Sequence, residues 1–551
     1  MRVILVEFLW HAKKIAHDKE SFEKDIIVSL DPESSYILKN NKIRYFESYQ
    51  FCDHKKLWPR YKDITNQSIE ITEKLDEALW SIDKRFKELN WKLFNDFHYA
   101  FKISFDQLFY YSELISNLID KFNPSEIIVA DTGEIVIDDN LLINEEISVI
   151  KYLLIRKKKD YNKIKISFVI IDQDKKSVSL FLNIYKKIKF STVKNFITRQ
   201  IKNIYYNTNL VVNYYTLKSK YLSINCAEVL KYKKLYPKES KYYLNYNVNN
   251  EVRKFKSNNI FFENFKNYLV NKTSFLNLIN NKNMSFEIIF YEILSKFIQR
   301  LDFLIQEHNK AKKIIDRMKP ACVIFQSMAC FYLPNVIFRK NCVDSKIPFV
   351  TWAHGGLGLT YSVAPYDMTD FRFCKNHIAY GPFLKDLVED NRCILNKLEL
   401  SKNQKVFSVG SCKLDHENRN KVLKNDLKKN KKPTVIFFMG FNYKRNNIYF
   451  GRNREKKETL VWEFVYDILY LLQKYQNKYN IIFKDNYIQG RTSLWQTILK
   501  NINADKILYL TNEYTVNDLL RISDLNILPW TSTTFFEALY FDADIFVLEE
   551  D

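Results

Sequence analysis

Short apolar runs alternate with helix-patterned stretches in the second half of this chain, and that alternation is its most constraining feature. The runs ACVIFQS and IPFVTWA stand on either side of the helical stretch LPNVIFRKNCVDSK. A strand, a helix and a second strand joined by short connections form the βαβ unit of a parallel sheet. HIAYG and KVFSVGS continue the rhythm, and each apolar run meets a glycine. The pattern predicts a parallel sheet with helical crossovers.

A second α/β pattern follows a lysine-rich polar bridge. Its apolar runs TVIFFMG, YNIIFKD, KILYLT, LNILPW and DIFVLEE alternate with four helical stretches. We therefore predict an α/β fold of two Rossmann-like, doubly wound domains. The expected boundaries are 1–415 for the N-terminal, acceptor-side domain, 416–432 for a linker and 433–551 for the C-terminal, nucleotide-donor-binding domain. A cleft between two such domains is the default place for chemistry.

The positive charge of the chain is concentrated in one segment. Residues 151–257 hold 25 lysines and arginines against 6 aspartates and glutamates, a difference of +19 out of a net charge of +21. We predict a basic, aromatic-rich insertion here. Tyrosine beside lysine can bind single-stranded nucleic acid or an anionic membrane surface, and a solvated insertion is the plain alternative. Since no RNA-binding signature is present, nucleic acid is the less favoured partner.

Several classes of protein are disfavoured by what the sequence lacks. Its eight cysteines contain no C-x-x-C pair, so neither a zinc site nor a disulfide framework is indicated and a reducing compartment fits best. The first apolar run, RVILVEFL, is interrupted by Glu7 and predicts a strand, not a signal peptide. No window approaches the ~18 uninterrupted apolar residues of a membrane helix. We expect a cytoplasmic protein that is soluble or peripheral on the membrane.

Two strand ends offer groups for acid–base chemistry. His354 directly follows the run IPFVTWA, and Gly355, which we predict to be a donor-binding residue, opens a pentapeptide that holds three of the nine glycines of the chain. An imidazole at such a position can exchange a proton near neutral pH, and the glycines leave room for a substrate. Asp131 ends another apolar run, PSEIIVAD, and competes for the role of general base. A tight structural turn beside His354, or a carboxylate that caps a turn at Asp131, is the alternative.

The run LNILPW leads into hydroxyl side chains that open a helix. Ser532, Thr533 and Thr534 stand where the free amides of a helix N-terminus would converge, a combination that suits a phosphate. Glu537 follows within the helix, where it could accept hydrogen bonds from sugar hydroxyls. Its alternative role is a capping-box partner of Thr534, three residues earlier.

Two further strand ends complete the candidate donor site. Lys484 is the penultimate residue of YNIIFKD, at a strand end where a cation could neutralise a phosphate, although a surface lysine is the alternative. Gly440 ends TVIFFMG at the first strand-to-helix turn of the C-terminal domain. The chain contains neither GxGxxG nor GxxxxGK[ST], so dinucleotide redox cofactors and ATP hydrolysis are disfavoured. We predict no cofactor.

Several of these motifs together resemble a known group of enzymes. The HGG loop, HIAYGP, DLLxxSDL ahead of TSTTFFEAL, and the terminal DIFVLEED are similar to those of GT-B glycosyltransferases of bacterial surface polysaccharide synthesis. The pattern is nearest to CDP-glycerol glycerophosphotransferase-like and Kdo-transferase-like enzymes. The resemblance is specific over residues 319–551.

The resemblance implies a sugar or polyol-phosphate transferase that uses a nucleotide-activated donor without an essential metal. It implies a glycan or lipid-linked acceptor at the cytoplasmic membrane face, with His354 facing the cleft. Ser532, Thr533, Thr534 and Glu537 would hold the donor. At the position where such enzymes often carry His-Pro, this chain has Lys484-Asp485. The alternatives are a non-catalytic relative that binds a nucleotide sugar or glycan, and a nucleic-acid-binding protein that uses the basic segment.

Overall fold

The fold is taken from a computed structural model of the chain. The described residues are 1–52, 61–137, 143, 147–157, 164–170, 221–224, 241–244, 259–271, 280–281, 284–285, 287–326, 333–352, 375–382, 385–386, 405–411, 414, 427, 432–439, 458–485, 494–511, 513–529 and 533–548.

The first parallel sheet is built from residues 1–170. Its elements are β1 (Arg2–Val6), α1 (Leu9–His17), a 3₁₀ helix (Lys19–Phe22), β2 (Ile26–Ser29), α2 (Pro32–Asn40), β3 (Phe46–Glu47), α3 (Tyr61–Ile82), α4 (Lys84–Glu88), α5 (Leu93–Asp96), α6 (His98–Phe122), β4 (Glu126–Asp131), α7 (Val149–Lys157) and β5 (Lys165–Ile170). The strand order is β3-β2-β1-β4-β5, and every neighbouring pair is parallel. This is the order of a Rossmann-like half with its switch point between β1 and β4.

Both faces of the first sheet are covered, because its central strands are apolar on both sides. Val3 and Leu5 of β1 belong to the main core of the chain, whereas Ile4 and Val6 pack beneath α1. Period-two alternation sends successive side chains to opposite faces. A strand buried on both faces has the continuous apolar sequence from which β1 was predicted.

The second sheet holds six parallel strands. Its elements are β6 (Tyr221–Ile224), β7 (Lys241–Leu244), α8 (Asn259–Val270), the short antiparallel pair β8 (Asn280–Asn281) and β9 (Met284–Ser285), α9 (Glu287–Ile298), α10 (Leu301–Met318), β10 (Cys322–Gln326), α11 (Leu333–Asp344), β11 (Phe349–Trp352), β12 (Asn376–Ala379) and β13 (Lys405–Ser408). The strand order is β13-β12-β11-β10-β6-β7, with β8 and β9 outside it.

The third sheet has the same topology as the first. Its elements are β14 (Thr434–Phe438), α12 (Glu458–Gln473), β15 (Asn480–Lys484), α13 (Trp495–Asn501), β16 (Leu508–Leu510), α14 (Val516–Leu520), β17 (Leu525–Leu528), α15 (Thr533–Tyr540) and β18 (Ile545–Val547). The order is β16-β15-β14-β17-β18, all parallel, with the switch point between β14 and β17.

The predicted α/β class with Rossmann-like parallel sheets is confirmed. Two predicted helix ends are also confirmed, since Asn123 and Lys319 close α6 and α10 in the left-handed conformation. The expectation of helix throughout 258–318 is wrong at β8 and β9. A left-handed residue ends a helix because it turns the chain out of the helical path.

The division into domains stays a prediction. Residues 1–415, taken above as one N-terminal domain, contain two parallel sheets. The basic segment 151–257 lies mostly outside the described residues, and its described strands join the first sheet as β5 and the second as β6 and β7. Most of the 416–432 linker also lies outside them.

Helix α6 runs through the main core. Every residue from 98 to 119 is buried except Glu113 and Asn117. The helix nevertheless carries an ion pair between Lys102 and Asp106, one turn apart. Burial lowers the pKa of the Lys102 ammonium, whereas the charge and hydrogen bond of Asp106 raise it. A charge is tolerated there because its partner is buried beside it.

Candidate functional site

The switch point of the third sheet brings two predicted loops together. Strands β14 and β17 are neighbours, with Val435 opposite Leu525 and Phe437 opposite Ile527. From β14 the chain turns to β15 and β16 on one side, and from β17 it turns to β18 on the other. In sheets of this strand order, ligands bind in the crevice at the carboxyl ends of the two strands where the order reverses. Gly440, which follows β14, lies outside the described residues.

Helix α15 connects β17 to β18 along the chain. It starts at Thr533, five residues after Leu528, the last residue of β17. Thr534 is half-buried, and Glu537 is only 6% exposed. Because Thr534 lies inside the helix and does not precede it, the geometry disfavours the capping-box pairing of Thr534 with Glu537. Ser532 and the side chain of Thr533 lie outside the described residues.

Lys484 bridges the carboxyl ends of β15 and β16. Its side chain is 8% exposed, and Nζ donates to the carbonyl oxygen of Asp485 at 2.9 Å and to that of Thr511. Burial lowers the pKa of the Lys484 ammonium, and Asp485 and Glu513 oppose that change. These two hydrogen bonds occupy two of its three donors. Its predicted contact with a donor phosphate stays a prediction.

Two acidic residues fix the loop around Lys484. Asp485 accepts a hydrogen bond on Oδ2 from the Tyr509 hydroxyl at 2.7 Å. Glu513 accepts one from the Thr511 backbone N–H at 2.6 Å, and backbone hydrogen bonds keep the pKa of its carboxyl below the usual value. Lys484 and Asp485 therefore belong to a hydrogen-bond network at the carboxyl ends of β15 and β16.

Asp131 lies at the switch point of the first sheet. It ends β4, the neighbour of β1, and accepts a hydrogen bond on Oδ1 from the Gly133 backbone N–H at 3.0 Å. The same oxygen is paired with Lys151 Nζ of α7. Burial raises the pKa of the Asp131 carboxyl, but the hydrogen bonds from Lys151 and Gly133 outweigh it and leave the pKa below its ordinary value. A carboxylate held in this way is a weaker base than an unpaired one.

Sequence reasoning missed the buried partners beside Asp131. Glu7, which follows β1, is 1% exposed, and its Oε2 accepts a hydrogen bond from Ser148 Oγ at 2.5 Å. Ser148 also accepts from the Lys151 N–H at the start of α7, and its own N–H donates to Thr132 Oγ1 at 2.7 Å. The sequence did contain a signal for Glu7, because a glutamate directly after the apolar run of β1 lies at the same sheet edge as Asp131.

His354 and Gly355 lie outside the described residues, but the strand that leads to them is described. β11 ends at Trp352, which is buried and whose Nε1 has no hydrogen-bond partner in the part of the chain that the structure describes. One residue earlier, Thr351 Oγ1 is 2.7 Å from Nδ1 of His377 on β12. Burial lowers the pKa of His377 to about 3, so this histidine is neutral at pH 7 and ties two strands together.

The described residues contain neither a metal-binding cluster nor a membrane-spanning helix. Within them, no group of three or more His, Cys, Asp and Glu side chains is placed to hold a metal ion. None of the described helices is long and apolar enough to cross a bilayer.

Comparisons with known proteins give structural likenesses only. No protein-family model matches the sequence, and no curated protein matches it significantly. A glycosyltransferase from Rickettsia africae is 12% identical with a TM-score of 0.33, over 60% of this chain and 79% of that one. A UDP-GlcNAc 2-epimerase from Neisseria meningitidis bound to UDP-GlcNAc is 12% identical with a TM-score of 0.33, over 60% and 82%. Staphylococcus aureus MnaA with UDP is 11% identical with a TM-score of 0.35, over 60% and 79%. Likeness at these scores carries no argument about this chain.

Proposed function

We propose that the chain is a GT-B transferase of sugar or polyol phosphate that takes a nucleotide-activated donor. The observation that carries the proposal is the topology of the third sheet, whose central neighbours β14 and β17 send the chain in opposite directions. Nucleotides bind in the crevice at such a switch point. We assign Gly440, which follows β14 in the sequence, and the start of α15, which follows β17, to the donor site.

The donor phosphate is assigned to the start of α15. Amides at a helix N-terminus carry partial positive charge, and the hydroxyls of Ser532, Thr533 and Thr534 add donors at the same place. Glu537 lies further along the same helix and is buried. A carboxylate has about four acceptor sites and suits the vicinal hydroxyls of a ribose or a transferred sugar. Lys484 is assigned to the same donor, through the donor hydrogen that its two carbonyl contacts leave.

The acceptor is assigned to the first and second sheets. His354 takes the proton from an acceptor hydroxyl as its oxygen attacks the donor, and the nucleotide leaves with the electrons of the broken bond. Gly355 is assigned to the donor site, and Asp131, which is paired with Lys151, is the competing candidate for the general base. The proposed acceptor is a glycan or lipid-linked molecule of a bacterial surface polymer, met at the cytoplasmic membrane face. The transfer is proposed to need no metal.

The test is a thermal-shift screen with CMP, CDP, UDP and GDP. One of them should stabilise the protein, by about 2.7 kcal/mol when it is present at 100 times its dissociation constant. Glu537→Gln should weaken that effect. Asp505→Asn is the matched control, because Asp505 is exposed and precedes β16, at the opposite edge of the same sheet. No shift with any of the four nucleotides, or an equal loss in both variants, contradicts the proposal.

A further inference from the structure

A group of exposed apolar and basic side chains lies where α12 leads into β15. Tyr470 and Leu471, in the last turn of α12, are 51% and 48% exposed, and Tyr475, two residues beyond the helix, is 46% exposed. Lys474 and Lys478 are also exposed. The backbone N–H groups of Lys474 and Tyr475 still donate to carbonyl oxygens three residues earlier, so this face of the helix continues past its end. Exposed apolar side chains grouped in this way indicate an interaction surface.

Lysine and tyrosine side chains pack on one another across this face. Lys474 Nζ lies 5.7 Å from the centre of the Tyr470 ring, and Lys478 Nζ lies 5.2 Å from the centre of the Tyr479 ring. The ring centres of Tyr475 and Tyr479 are 6.4 Å apart. An ammonium over an aromatic ring keeps its full charge, because the ring is neutral. Both lysines therefore stay available to an anionic partner.

Two further lysines reach the same turn from neighbouring loops. Lys432, which precedes β14, donates from Nζ to the carbonyl oxygen of Asn477 at 2.5 Å. Lys506, which precedes β16, donates from Nζ to Asn477 Oδ1 at 2.6 Å. Both acceptors are neutral, so the two charges are not cancelled by these contacts. We call Tyr470, Leu471 and Tyr475, together with Lys432, Lys474, Lys478 and Lys506, the α12 surface.

Positive charge exceeds negative charge on the α12 surface. Among the described residues, none of its four lysines forms an ion pair with a carboxylate. The exposed acids described on the same elements are Asp467, two helical turns before Lys474, and Asp505, beside Lys506. Four lysines thus stand against two aspartates, and the surface is complementary to a negatively charged partner.

A bilayer with anionic headgroups matches both the basic and the apolar part of the α12 surface. Lysine can hold its ammonium at the lipid phosphates while its stem stays in apolar surroundings, and tyrosine prefers the level of the headgroups. A nucleic acid satisfies the lysines and the tyrosine rings but offers no apolar phase to Leu471. A second copy of the chain would bring like charges together. We propose that the α12 surface docks the protein on an anionic lipid bilayer.

The position of the α12 surface keeps the proposed donor site free. Lys432, Asn477 and Lys506 precede β14, β15 and β16, so the surface lies at the amino ends of these parallel strands. The donor is assigned to the carboxyl ends of the same sheet, which point away from a bilayer docked here. Docking rests on the proposed function for the membrane location, but vesicle binding is measured without nucleotide, so either proposal can fail without the other.

Co-sedimentation of the full chain with phosphatidylglycerol vesicles, and in parallel with phosphatidylcholine vesicles, measures the binding. Phosphatidylglycerol should be preferred. Each lysine near such a surface contributes about 5-fold, so Lys474→Gln with Lys478→Gln should weaken binding about 30-fold and make it less sensitive to salt. Leu471→Ser should also weaken binding, but with the salt sensitivity of the parent, because it removes no charge.

A matched double variant separates this surface from general loss of charge. Lys312→Gln with Lys313→Gln removes the same charge from an exposed part of α10 and should bind like the parent. All variants keep the basic segment 151–257 intact. Hydrogen exchange of the parent adds a readout that does not depend on any variant, since vesicles should slow exchange over residues 470–479. No binding by the parent, unchanged exchange there, or equal losses in the two double variants overturns the proposal.

Discussion

Tyr36 of α2 joins the first sheet to the third. Its ring packs on Trp462 of α12 with a centroid distance of 5.3 Å, and its hydroxyl accepts a hydrogen bond from Asn501 Nδ2 at 3.0 Å. Tyr36 belongs to the core beneath the third sheet although it follows β2 of the first. The two regions therefore share a buried contact.

Removal of this contact should uncouple the two regions. Tyr36→Ala deletes a buried ring and should lower the free energy of unfolding by about 3–5 kcal/mol. Tyr36→Phe loses only the hydrogen bond and should cost about 0.5–1.5 kcal/mol. Urea unfolding followed by fluorescence should show one transition split into two for Tyr36→Ala. Tyr470→Ala, an exposed change on α12, is the control, and an equal effect there contradicts the prediction.

The protein should lose stability in mild acid because of His377. Its pKa falls from 6.5 to about 3 on folding, so between those values the unfolded chain binds a proton that the folded chain does not. The stabilisation is therefore complete above pH 6.5 and declines as the pH falls, by about 1.4 kcal/mol per pH unit for this one group. Urea unfolding at pH 7.0 and 5.0 measures how much free energy of unfolding is lost between the two pH values. That loss should be about 2 kcal/mol smaller in His377→Gln than in the parent. The same loss in both proteins would exclude His377 as its source.

The ion pair inside α6 should affect stability most when only one of its two charges is removed. Asp106→Leu removes the carboxylate that is paired with the buried Lys102 and should destabilise the fold by about 3–5 kcal/mol. The double change Lys102→Met with Asp106→Leu should recover that loss, and can exceed the parent by about 1–4 kcal/mol. Chemical denaturation of the two variants measures the difference. A double variant as unstable as Asp106→Leu would show that shape, and not charge, sets the cost.

Catalysis should depend on His354 more than on Asp131. His354→Ala should lower turnover by about 100-fold or more while the melting temperature and nucleotide affinity stay nearly unchanged. Asp131→Asn should have a smaller effect, since its carboxylate is already committed to Lys151 and Gly133. The rate of the chemical step is measured by single-turnover kinetics, with a donor that carries the nucleotide identified by thermal shift. If His354→Ala unfolds the chain and Asp131→Asn alone abolishes turnover, the roles are reversed.

The basic segment should attach the protein to anionic lipid. Each basic residue near such a surface contributes about 1 kcal/mol, so a handful of contacts out of a net +19 in residues 151–257 suffices. Co-flotation with phosphatidylglycerol vesicles should fall as salt rises. A protein that stays free of vesicles at low salt but binds RNA tightly would favour the nucleic-acid alternative.

The central strands, such as β1 and β14, were predictable because they are buried on both faces. Every residue of β14 is buried, and a run such as TVIFF cannot be a half-exposed strand. Glu7 and Ser148 were not predictable as partners, since they are 141 residues apart and no local pattern relates them. The same holds for Lys484, whose strand-end position was clear from sequence but whose carbonyl partner at Thr511 was not.

The contact between Tyr36 and Asn501 has a consequence for synthesis on the ribosome. The two residues are 465 positions apart. At about 5–20 residues per second, roughly 20–90 seconds pass between the emergence of one and the other. During that interval Tyr36 of α2 is without its partners on α12 and α13, and a holding chaperone that binds exposed aromatic surface can act there.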